Sequence, residues 1–252
     1  MQWSRRIAAV ALGALGALAA GAAHAQATGT WVSGVGDDSN PCSRTAPCLT
    51  FSVALSRTAN KGTVRVLDPG QYGPVTITKA ITIVGLPGAT IISSPGVNGI
   101  TVNANAADVV VLANLTIDGG GSGVTGVLLN TASMLVLENV NIQGTGTGVD
   151  VAAAAVHARV DIRGCDIGGA AIAVRNQSPT STVTVEGSSL HGNGTALSAV
   201  DGMIAVIGTS LVNNGLVFSS VNGTTWTGKD NAVYGNANLG NVPGRQKHIA
   251  TE

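Results

Sequence analysis

A nine-residue segment recurs five times without gaps, and this recurrence constrains the fold more than any other feature of the chain. Its copies are Val-Leu-Ala-Asn-Leu-Thr-Ile-Asp-Gly at 111–119, Val-Leu-Glu-Asn-Val-Asn-Ile-Gln-Gly at 136–144, Asp-Ile-Arg-Gly-Cys-Asp-Ile-Gly-Gly at 161–169, Thr-Val-Glu-Gly-Ser-Ser-Leu-His-Gly at 184–192 and Ala-Val-Ile-Gly-Thr-Ser-Leu-Val-Asn at 205–213. The anchors Ile117, Ile142, Ile167, Leu190 and Leu211 fall 25, 25, 23 and 21 residues apart. Self-similarity at such a period marks a chain built from stacked units, each too small to bury its apolar face alone.

Within the motif, Leu112, Leu115 and Ile117 point one way while Ala113 and Thr116 point the other, and one extra residue, Asn114, interrupts the alternation. That position reads Asn114, Asn139, Gly164, Gly187, Gly208, residue types that tolerate the left-handed backbone of a tight corner. A second apolar strand recurs with anchors Val127, Val149, Ile172, Leu197 and Val217, each after a Gly-rich turn, so a period holds three short strands. The pattern predicts an all-β, right-handed parallel β-helix, its coils stacked ~4.8 Å apart. Irregular apolar runs from Val64 to Val102 extend it upstream to about seven turns. A sandwich or propeller would need hairpins and longer strands. Thr50 to Ala59, with Phe51, Ala54 and Leu55 at helical spacing, predicts a short helix covering the N-terminal end. Trp226 and Tyr234 fall in an Asn/Gly-rich segment expected to cover the other end.

The division that follows is a signal peptide over 1–25, a leading loop with disulfide and capping helix over 26–62, the β-helix over 63–242 and a C-terminal tail over 243–252. Arg5 and Arg6 precede an apolar run from Ile7 to Ala20 that ends in Ala23-His24-Ala25, the pattern of a cleavable leader cut after Ala25. The run is shorter than the ~20 residues of a membrane span, and no later stretch is long enough. The expected location is therefore periplasmic or secreted. Cleavage leaves 11 Lys/Arg against 13 Asp/Glu, which argues against a nucleic-acid partner. In an oxidising compartment, Cys42 and Cys48 are the natural disulfide pair, and Cys165 reads as a small buried apolar residue.

The opening Trp31-Val-Ser-Gly-Val-Gly36-Asp37-Asp-Ser-Asn40-Pro41-Cys, followed by Pro47-Cys48-Leu-Thr50-Phe51, resembles the N-terminal segment of the pectin-lyase-like right-handed β-helix superfamily of exported bacterial proteins. Val66-Leu-Asp68-Pro-Gly70-Gln-Tyr72 through Ile77, with Ile81 to Gly85, is similar to the first coil turns of those proteins. The resemblance covers nearly all of the mature chain. It implies the fold, and it implies where a polysaccharide lyase would carry its site: on the outer face of one strand stack, with several Asp holding calcium and an Arg or Lys as base. Proton removal beside a uronate carboxylate needs that carboxylate neutralised and a base within hydrogen-bond reach.

The corresponding outward column here reads Leu128, Asp150, Ala173, Ser198, with Phe218 near its end, one carboxylate where calcium wants several oxygens. A hydrolase would require two carboxylates ~5–9.5 Å apart; Asp161 and Asp166, neighbours across a corner, are the pair that could supply them, and they read otherwise as solvated polar residues beside Arg163. The column Ala113, Glu138, Arg163, Glu186, Ile207 places Arg163 between two glutamates, an ion ladder with Asp161, Arg175 and His191 nearby. Asp37, Asp38 and Asn40 read as turn formers, and no serine elbow, zinc spacing or cofactor motif is present. The sequence therefore favours an exported, non-catalytic β-helix presenting a polar surface to carbohydrate or an envelope component. The alternatives are a lyase or hydrolase of acidic polysaccharide, with Asp150, Asp161, Arg163 and Arg175 as catalytic candidates, and a structural or adhesive module pairing through its strand edges.

Overall fold

The computed structural model describes residues 26–121 and 123–241; the leader and the C-terminal tail lie outside them. The chain forms a parallel β-helix of three sheets, as the resemblance implies. Sheet A has nine strands, from Ala27–Val32 and Thr58–Val66 to Thr224–Thr227. Sheet B has eight, from Gly70–Tyr72 to Ala232–Tyr234, and sheet C eight, from Val75–Ile77 to Asn238–Asn241. Each coil adds one strand to each sheet, so consecutive segments of chain become vertical neighbours.

The anchors lie in register on sheet B, Ile117 under Ile142, Ile167, Leu190 and Leu211, all of them buried. Burying each such side chain contributes about 1.5–3 kcal/mol. The five corner residues Asn114, Asn139, Gly164, Gly187 and Gly208 all have φ between 52° and 58°, which is why the column holds asparagine and glycine. A second left-handed column closes the other end of sheet B, at Gly144, Gly169, Gly192, Asn213 and Gly235. With left-handed corners on both sides, the sheet B strands Asn141–Gln143, Asp166–Gly168, Ser189–His191 and Ser210–Val212 are held to three residues each.

Two features depart from the sequence expectation. There are eight coils rather than about seven, because Thr224–Thr227, Ala232–Tyr234 and Asn238–Asn241 complete another turn. The segment expected to be an irregular cover is therefore a coil, its inward positions filled by Thr225, Thr227 and Val233 while Trp226 and Tyr234 point outward, 44% and 58% exposed. On sheet C the inward column is Val127, Val149, Val174, Leu197, Phe218, not one through Ile172 and Val217. Phe218 is buried, and Arg175 rather than Ala173 stands in the outward row. From Ile172 to Val174 the slip is two residues, which preserves inside and outside so that alternation cannot detect it; from Val217 to Phe218 it is one, hidden because both neighbours are apolar and buried.

The N-terminal end is covered as expected. Helix Phe51–Arg57 starts at Thr50, whose hydroxyl accepts from the Val53 N–H, and it buries Phe51, Ala54 and Leu55. Phe51 packs against Tyr72 with ring centroids 5.1 Å apart. The Cys42–Cys48 disulfide closes the preceding loop. Asp38 accepts from the N–H groups of Leu49 and Thr50 and from the Thr50 hydroxyl, while Asp37 accepts from the Ser39 N–H. These residues tie turns together.

Candidate functional site: a polar groove on sheet B

Each outer face carries a different arrangement of charge. On sheet A the row Ala113, Glu138, Arg163, Glu186, Ile207 is in register as expected. Arg163 lies 4.0 Å from Glu138 and 3.8 Å from Glu186, yet its closest partner is Asp161 on its own strand, at 2.7 Å. Asp161 also receives the Arg159 Nε at 2.9 Å and is 1% exposed. Its carboxylate holds the exposed Arg159 above the ordinary arginine value through that hydrogen bond. With each oxygen taken by a guanidinium and the side chain buried, Asp161 turns neither oxygen to a substrate and is ill suited to proton transfer.

On sheet C, Asp150 and Arg175 are direct register partners joined by a bidentate pair, Arg175 Nε to Oδ1 at 2.9 Å and Nη2 to Oδ2 at 2.7 Å. Gln177 adds its amide N–H to the same carboxylate at 2.9 Å. The hydrogen bond to Asp150 raises Arg175 above its ordinary value, which makes it a still poorer base. The four catalytic candidates therefore form two closed pairs on two faces. His191, expected near them, stands on sheet B, and Asp166 is there too, turned away from Asp161 and towards that imidazole.

Sheet B carries a groove of about 470 Å³. Its outward row Asp118, Gln143, Gly168, His191 runs along the coil axis one strand at a time, with Asn141 and Asp166 on the adjoining row. Gly168 makes the notch: a Cβ there would lie 2.5 Å from His191 Cε1, so glycine allows the imidazole to fold down over the strand. His191 Nε2 then sits 2.9 Å from Asp166 Oδ1. That contact has ion-pair distance without hydrogen-bond alignment, and Oδ1 is buried there with no hydrogen-bond partner among the described residues. Asp118 accepts from the Gly120 N–H at 2.8 Å and from the Gln143 amide at 3.1 Å. Gly120, Gly144 and Gly169 at the corner leave the floor bare of side chains.

The groove offers carboxylate, carboxamide and imidazole groups to a ligand. Among the described residues, no three His, Cys, Asp or Glu side chains gather closely enough to hold a metal ion. Cys165 is buried, and burial pushes its thiol up to about 11, so it is neither an accessible ligand nor a nucleophile at neutral pH. No helix among the described residues is long and apolar enough to cross a membrane. Sequence reasoning singled out His191 but missed the groove. Its signal was the eighth position of the repeated motif, which reads Asp118, Gln143, Gly168, His191.

No family profile matches the sequence, and no curated protein sequence is significantly similar to it. A solved structure of similar fold is the crystal structure of pectate lyase Pel9A, 16% identical over 82% of this chain and 72% of that one, with a TM-score of 0.48. The likeness transfers no activity to this chain.

Proposed function

We propose that this chain is an exported, non-catalytic β-helix protein that binds a glycan along the sheet B groove. The observation that carries this reading is the contrast between faces: Asp150 and Asp161 are closed off by arginines, whereas Asp118, Asn141, Gln143, Asp166 and His191 stand over a glycine floor. Carboxamides and carboxylates spaced along a groove match the alternating donors and acceptors of sugar hydroxyls. Export is supported by the leader-like segment 1–25 and by the disulfide, which belongs to oxidising compartments.

Purified mature protein, screened on a glycan array and in parallel for cleavage of polysaccharides, tests both parts. Binding that falls about tenfold in Gln143→Ala and in His191→Ala, without product release, is the expected result. Cleavage that disappears in Arg163→Ala or Arg175→Ala would establish the competing lyase or hydrolase. Absence of any glycan binding would remove the groove as a carbohydrate site.

A further inference from the structure

We propose that the groove selects its glycan by charge, taking oligomers of amino sugars and rejecting polyuronates, with Asp118 and Asp166 as the specificity-determining residues. This rests on the groove being a glycan site. Of the four aspartates prominent on the outer faces, two are buried and neutralised: Asp150 by Arg175, Asp161 by Arg159 and Arg163. The other two face the groove without an arginine. The partners of Asp118 are a backbone N–H and a carboxamide, and Asp166, whose Oδ1 is buried against the His191 imidazole, has a half-exposed side chain that turns the rest of its carboxylate to the groove. Among the described residues, no lysine or arginine lines the groove.

A uronate laid there would bring further carboxylates beside two that no lysine or arginine neutralises, and among the described lining residues none carries a permanent positive charge to offset the repulsion. An ammonium group instead gains attraction and supplies three N–H donors to oxygens that still have lone pairs. The register also sets a minimum length. Asp118 and Asp166 are two strands apart on adjoining rows, hence separated by about 10 Å along the coil axis, further than one sugar ring reaches. A ligand that engages both must be an oligomer.

Calorimetric titration of the mature protein with a glucosamine tetramer, its fully N-acetylated counterpart and a galacturonate tetramer tests the proposal. The free amine should bind at least about tenfold tighter than the other two, and its binding should weaken as salt is raised. Asp118→Asn and Asp166→Asn, near-isosteric changes whose folding is checked by circular dichroism, should each remove about tenfold of that preference and leave the N-acetylated tetramer unaffected. Equal or tighter binding of the galacturonate or the N-acetylated tetramer would overturn charge selection while leaving the groove a glycan site. So would amine binding indifferent to both substitutions. No binding of any of the three would overturn the glycan reading as well.

Discussion

The early and late coils of this protein solve the same packing problem with opposite chemistry. At the corner between sheets A and B, the inward position is Leu115, Val140 and Cys165 where the spacing is 25 residues, then Ser188, Thr209 and Asn231 where it drops to between 21 and 23. The late residues form a ladder: the Cys165 N–H donates to the Ser188 hydroxyl, the Ser188 N–H to Thr209 and the Thr209 N–H to the Asn231 carboxamide. A second ladder runs through Asn193, Asn214 and Asn236 at the next corner, each side-chain oxygen accepting from a backbone N–H one coil below. Each amide also donates to a carbonyl, of Ile167, Leu190 and Leu211 respectively. In the shorter coils these ladders satisfy backbone N–H groups at the corners. A buried polar column is tolerable because every rung finds a partner on the next.

The sharpest way to break this comparison is at the middle rung. Asn214→Ala takes the acceptor from the Asn193 N–H and the donor from the Leu190 carbonyl, and should cost about 3 kcal/mol in a denaturant titration. Val140→Ala, in the apolar column, should cost about 2 kcal/mol through its cavity alone. If the two are equal, the ladder carries no premium over ordinary packing.

Cys165 stands where one column becomes the other, with its sulfur near the Val140 N–H. Cys165→Ser should therefore lengthen the ladder by one rung and change stability by less than about 1 kcal/mol at neutral pH. Burial favours the neutral thiol in the folded chain, raising it from its ordinary 9 to about 11. Its contribution is complete below pH 9 and is lost as the pH rises towards about 11, because the unfolded chain ionises first. Alkaline unfolding curves of Cys165→Ser should lack that loss. They should retain the loss due to Tyr72, which burial and the nearby Asp68 charge push up to about 12. Smallest of all, Glu186→Ala on the exposed ion ladder should change stability by less than about 0.5 kcal/mol, an effect that vanishes in high salt.

The sequence disclosed the coil, the anchor column and the left-handed corners because each depends on local residue type: apolar at one position, asparagine or glycine at another. It concealed what depends on register between coils. The Asp150–Arg175 pair was invisible once Ile172 was aligned with Val149, since either of two apolar residues satisfies the same inward position. The eighth coil reads as a loop in the sequence because threonines replace aliphatic residues at its inward sites. Arg163, Arg175 and His191 are near one another in the linear sequence, whereas the winding sends them to three faces. The ladders escaped notice because Ser, Thr and Asn usually signal turns, and their burial shows only when the coils are superposed.

The left-handed corners that bracket the three-residue strands of sheet B have one more consequence. They make the pitch and width of that face properties of the main chain, while the outward groups at 118, 143 and 191 stand clear of the interior. Those groups resemble marks on a ruler with fixed divisions: exchanging them rewrites what is measured without altering the scale. A set of such exchanges would yield a family of surfaces of common geometry and different chemical taste.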